Sequence, residues 1–142
     1  MTSPGGQPAS IGALIDYLTS LGFRLVREDR GDMGGTLLVY EGTAEGMAAT
    51  VEIAADRGQW EALLKFGGMR KVVLPEIWIA YLDGVEVGDI SVNDQVAFVR
   101  DRLVEAAGAF RQDDEAEAKL TTIGRAYADH IIDQLQESFE NP

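Results

Sequence analysis

In the stretch IGALIDYLTSL, Ile11, Leu14, Ile15, Leu18 and Leu21 recur every three or four positions. That spacing places one apolar face on a helix. Ser10 in front suits an N-cap, and Gly22 behind suits a left-handed C-terminal position. From residue 23 the period shortens. FRLVRE (23–28), TLLVYE (36–41), MAATVEIA (47–54) and QWEALLKF (59–66) are strand-length runs. Met47, Ala49, Val51 and Ile53 alternate with Ala48, Thr50, Glu52 and Ala54, and Trp60, Ala62, Leu64 and Phe66 alternate with Gln59, Glu61, Leu63 and Lys65. A two-residue period with one largely apolar face is the mark of an antiparallel sheet. The connections DRGDMGG, GTAEG and ADRG are short and glycine-bearing, so they suit hairpins. The pattern predicts a four-stranded meander.

The segment GGMRKVVLPEIWIAYLDG (67–84) leaves two readings open. It is either a short helix with Pro75 at its first position and Gly84 at its end, or a hairpin turning at Asp83-Gly84. Leu74, Trp78 and Leu82 share a stripe in the helical reading. Further on, Val96, Val99, Leu103, Ala107 and Phe110 predict a helix over about 93–110. Leu120, Ile123, Tyr127, Ile131 and Leu135 predict another over about 114–138 with its face turned inward. Asp113 can cap it, and Asp114, Glu115 and Glu117 suit the positive end of its dipole. The expected fold is α+β: an N-terminal helix, the antiparallel meander, a short helix or hairpin, and two C-terminal helices packed on the sheet. One domain over 10–142 follows a short unstructured tail over 1–9.

Charge and composition narrow the function. The 142 residues carry 24 acidic against 12 basic side chains, a formal net charge of −12. Such a field repels nucleic acid and anionic membrane and favours basic partners. There is no cysteine, which excludes disulfides and thiolate chemistry. With one histidine as well, no zinc site and no other metal site is expected. The opening MTSPGGQPAS lacks the basic region and apolar core of a signal peptide, and the longest apolar run falls short of a membrane span. A cytoplasmic location is the simplest expectation.

No constellation of catalytic groups stands out. His130 lies in ADHIID beside an aspartate that a helix would turn elsewhere, so it reads as a surface histidine. DRGDMGG lacks the ligand alternation of a calcium loop and reads as a hairpin turn. FGGMRK reads as a tight turn rather than a phosphate cradle. Carboxylates are so plentiful that no pair is distinguished. The chain is expected to bind without catalysis and without a cofactor. The aromatic residues Trp60 and Trp78 are expected to close the space between sheet and helices, with an anchor role as the alternative.

The segments DRGQW (56–60), WIAYLDG (78–84) and QVAFVRDRL (95–103), in this order of elements, resemble small immunity proteins of bacterial polymorphic toxin systems, particularly actinobacterial ones. The small acidic α+β layout also resembles the type III secretion chaperone-like fold, although QWEALLKF follows the third strand where that fold usually has a helix. Either resemblance implies protein binding without catalysis. A partner, expected to be a basic protein, would meet Asp83, Glu86, Asp89 and Asp94, with Tyr81 as amphipathic anchor. These acids fall within twelve residues, on a loop and a helix start. Asp113, Asp114, Glu115 and Glu117 form a competing cluster that helix capping already explains.

Overall fold

The computed structural model describes residues 7–31 and 35–140. The chain runs α1 (Ala9–Ser20), β1 (Arg24–Arg30), β2 (Thr36–Ala44), β3 (Met47–Asp56), β4 (Gln59–Phe66), α2 (Pro75–Asp83), α3 (Val92–Gln112) and α4 (Ala116–Glu140). The four strands form one antiparallel sheet in chain order, β1-β2-β3-β4. The fold is α+β, as the hydrophobic pattern predicts. The expected tail over 1–9 lies outside the described residues for 1–6, and the loop DRGDMGG does so for 32–34.

Two hairpins have two-residue turns. Glu45 and Gly46 have φ of 51° and 77°, and Arg57 and Gly58 have φ of 54° and 79°. Positive φ at both central positions is the type I′ geometry, whose twist matches the flanking strands. Glycine takes the second position in each at no steric cost, while Glu45 and Arg57 accept the left-handed conformation. On β2, Gly42 serves a different need: a Cβ there would lie 2.5 Å from the Phe23 ring.

The sheet buries one face. Leu38, Tyr40, Ala49, Val51, Ile53, Ala62, Leu64 and Phe66 join Ile11, Leu14 and Leu18 of α1 and Val96, Val99 and Leu103 of α3 in one core. Across the sheet, Leu37, Val39, Glu52 and Leu63 on the opposite face are half-exposed. The helical layer stops short of β1, all seven of whose residues are exposed. Leu25 pairs with buried Tyr40 yet is 44% exposed.

The segment left open by the sequence is a helix. Pro75 takes its first position, and Gly84 ends it in the left-handed region (φ 67°). Trp78 is fully buried, and its Nε1–H donates to the carbonyl of Leu64 at 3.0 Å. Trp60 is half-buried, packed against the same core. Both tryptophans therefore help close the space between sheet and helices.

Three expectations need correction. α1 starts at Ala9 with Pro8 as N-cap, so Ser10 lies inside the first turn and its buried hydroxyl has no partner among the described residues. β1, β2 and β3 run on to Arg30, Ala44 and Asp56, past the predicted ends at 28, 41 and 54, because pairing with the neighbouring strands carries them on. Ile131 and Leu135 do not face inward: they are 37% and 56% exposed, because α4 outruns the α2 and α3 surfaces it packs on.

Candidate functional site

Pro75 and Gly84 bracket α2 so that Tyr81 falls in its last turn. α3 ends at Asp113, whose extended backbone (φ −122°, ψ 101°) breaks the run before α4 begins. The two helix ends and the start of α4 frame a cleft of about 750 Å³. Ala80, Leu82, Ala109 and Ile123 supply its apolar wall, and Tyr81, Asp113 and Lys119 its polar one. Tyr81 also ends an aromatic relay through the core. Phe66 meets Trp78 edge-on at 5.4 Å between centroids, and Trp78 meets Tyr81 edge-on at 6.1 Å.

Asp113 is the hub of the polar wall. Its Oδ2 accepts from the Tyr81 hydroxyl at 2.7 Å and from Lys119 Nζ at 2.9 Å, while its Oδ1 accepts from the Glu115 amide at 3.0 Å. The bond from Tyr81, then those from Lys119 and Glu115, hold the Asp113 carboxyl down at about 2. Burial and then the hydrogen bond to Asp113 push the Tyr81 phenol up to about 12. The bond to Asp113 likewise raises Lys119. At neutral pH the site therefore holds a protonated phenol, an ionised carboxylate and an ammonium. None of the three is poised to exchange a proton near pH 7.

The five residues expected to meet a partner are divided by the fold. Tyr81 turns toward the cleft and joins Asp113, a member of the competing acidic cluster. Asp83 accepts two hydrogen bonds from Arg102, at 2.6 and 2.9 Å, and Arg102 also binds Glu105. Those bonds hold both carboxyls below their usual range and raise the guanidinium. Asp89 accepts from the hydroxyl of Tyr127 on α4, and this bond, with burial, pushes that phenol up to about 12. Asp94 lies in the first turn of α3, where its amide donates to the N-cap hydroxyl of Ser91 at 3.1 Å. The carboxylates of Glu86, exposed on the connection between α2 and α3, and of Asp94 carry no hydrogen bond or ion pair to another described residue.

Sequence reasoning passes over the cationic partners. Arg102 and Lys119 look like ordinary members of polar helix faces, and nothing local indicates that they meet Asp83 and Asp113, 19 and 6 residues away. Glu117 has a partner too: its carboxylate accepts from the amide of Arg70 at 2.8 Å, pinning the FGGMRK turn to α4. That turn is tight, with the Met69 amide donating to the Phe66 carbonyl at 3.1 Å. His130 lies exposed on α4, within 3.1 Å of Gln134. No group of three or more histidines, cysteines or acids suited to a metal ion occurs among the described residues, and no described helix is long and apolar enough to cross a membrane.

No family model, curated protein or solved structure matches the chain.

Proposed function

We propose that this chain is a non-catalytic protein-binding domain that captures a basic partner, acting as an immunity protein that covers a basic toxin domain. One observation carries the reading. Tyr81, Asp113 and Lys119 of the helical cleft are bonded to one another, while the acidic exit of α2 continues beside it onto an exposed connection. Such a surface suits docking better than proton transfer. Tyr81 offers an apolar ring with its hydroxyl already satisfied, which is the economy of an interface anchor. Glu86 and Asp94 offer charge not committed to an internal ion pair, and complementary charge steers association. The resemblance to immunity proteins points the same way at the level of fold.

The test is co-expression with a basic toxin domain encoded beside this chain. Restored growth and a stable complex by light scattering are expected. Loss of growth with no complex overturns the reading. Replacing Glu86 and Asp94 by lysine should slow association by about an order of magnitude at low salt. The loss should shrink as the screening length falls to about 10 Å at 0.1 M.

A second reading, a secretion chaperone or adaptor that holds an extended client segment, would need the sheet edge at β1, whose residues are all exposed but whose charges and register shift work against pairing. Strand addition there would use main-chain bonds. Val26→Pro should abolish client binding in that case and leave toxin binding unchanged in the first.

A further inference from the structure

α4 has two unlike halves. In the first, Ala116 and Leu120 are buried, and Ile123 and Tyr127 are half-buried. Gly124 faces α2, where a Cβ would meet the Cδ1 of Ile77 at an ordinary contact distance of 3.5 Å. In the second, every residue from Ala128 to Glu137 is exposed. That is roughly 15 Å of helix standing clear of the body. The apolar line does not end where the packing ends. Ile131 and Leu135 continue it at four-residue spacing, and Ile132 widens it, at 37%, 56% and 51% exposure. A helical stretch this short has little stability of its own in water. An uncovered apolar line on it gains from any surface that covers it.

We infer that the free half of α4 is the docking strip for a basic amphipathic helix of the protein partner. The inference rests on the reading of a basic partner given above and says where that partner is held. Charge selects the occupant. Residues 128–137 carry Asp129, Asp133 and Glu137 and no lysine or arginine. Their four-residue spacing draws them into a second line along the helix. At the root of the strip, the Asp89 carboxylate accepts from Tyr127 and adds a further acid. A second copy of the chain would bring an acidic line against an acidic line, on bodies of formal charge −12 each. A helix with an apolar row bordered by lysine and arginine fits instead. Its aliphatic stems would extend the apolar contact, and its charged heads would reach round to the carboxylates.

The test uses the full chain and a synthetic helix with leucine at every third and fourth position and lysine or arginine elsewhere. A scrambled peptide of the same composition and a glutamate-for-lysine counterpart serve as controls, all measured by titration calorimetry. The basic helix is expected to bind, and amide exchange over 128–137 is expected to slow when it does. Ile131→Ser with Leu135→Ser should weaken binding at least tenfold while the melting temperature holds. Asp129→Asn, Asp133→Asn and Glu137→Gln together should weaken it and flatten its salt dependence. Equal binding of the scrambled peptide, or binding indifferent to the serine pair, overturns the inference. So does a concentration-dependent dimer of the chain alone that the serine pair abolishes, which would give the strip to a second copy. A toxin domain neutralised equally by the serine variant overturns the strip and leaves the immunity reading standing. A peptide held on the strip without any growth rescue upholds the strip and removes that reading.

Discussion

The two edges of the sheet are finished in opposite ways. Along β4 the open hydrogen-bonding groups are taken up by distant parts of the chain. The Ala62 amide donates to Gln95 Oε1 on α3 at 3.0 Å, and Leu64 exchanges two bonds with Val73, at 3.0 and 2.9 Å. The Leu64 carbonyl also receives the indole of Trp78. Gln95 in turn donates to buried Glu76 at 3.1 Å, so one side chain ties β4, α2 and α3 together. Among the described residues, β1 has no such cover. It protects itself with Arg24, Arg27, Glu28, Asp29 and Arg30, and with a register shift between Leu25 and Arg27. Charged residues and bulges are the usual means of keeping a bare edge from pairing with another chain. The difference teaches that β4 belongs to the core although it is last in the sheet, whereas β1 is attached from one side only.

Four experiments sharpen or break this contrast. Trp78→Ala removes a fully buried ring and the indole bond to β4, and should cost about 3–5 kcal/mol in urea unfolding. A loss below about 1 kcal/mol would mean that the edge closes without it. Gln95→Leu keeps the bulk but strips partners from the Ala62 amide and from Glu76, with an expected loss of about 1–3 kcal/mol.

Glu76 offers a pH test of the same edge. Burial raises its carboxyl above the usual value of 4.5, with Asp89 and Glu61 adding to the rise and its own amide and Gln95 opposing it. A carboxyl raised by folding binds its proton more tightly in the folded state. Its stabilising effect is present below the unfolded value and is lost as pH rises through the folded one. Glu76→Gln should therefore be at its best relative to the parent near pH 7. That advantage should shrink as pH falls toward 4.5 in matched thermal melts. A difference independent of pH would show that the carboxyl is already solvated.

The smallest effect belongs to the other edge. Val26→Thr on β1 should change stability by no more than about 0.5 kcal/mol. Its amides should exchange faster than those of Ala62 and Leu64. Slow exchange along β1 would show that something covers it.

The legible part of this molecule was the part written in periods. Met47 to Ile53 and Trp60 to Phe66 alternate because one side of the sheet is dry, and the two hairpin turns sit at the glycines that follow Glu45 and Arg57. The end of α2 could be read at Gly84. The far half of α4 could not be read, because Ile131 and Leu135 keep the spacing of a buried stripe although no other described element covers them. Periodicity records which side of a helix is apolar and not whether a neighbour reaches that far. At the candidate site, Tyr81 was visible as an aromatic at a helix end. Its bond to Asp113 joins residues 32 apart, and that pairing depends on how α2 and α3 cross. The acids of the connection looked free because Arg102 and Tyr127 approach them only in three dimensions.

The order of strands in the sheet equals their order in the chain, and the last two connections are two-residue turns. Every strand pairing is thus made between sequence neighbours, and closing such short loops costs little entropy. The meander can assemble by zipping from its turns before any helix arrives. The capture of its far edge then comes last, after the barrier, since the Ala62–Gln95 bond spans 33 residues. In kinetic terms, substitutions in the Glu45-Gly46 and Arg57-Gly58 turns should act mainly on the folding rate, and Gln95→Leu mainly on the unfolding rate.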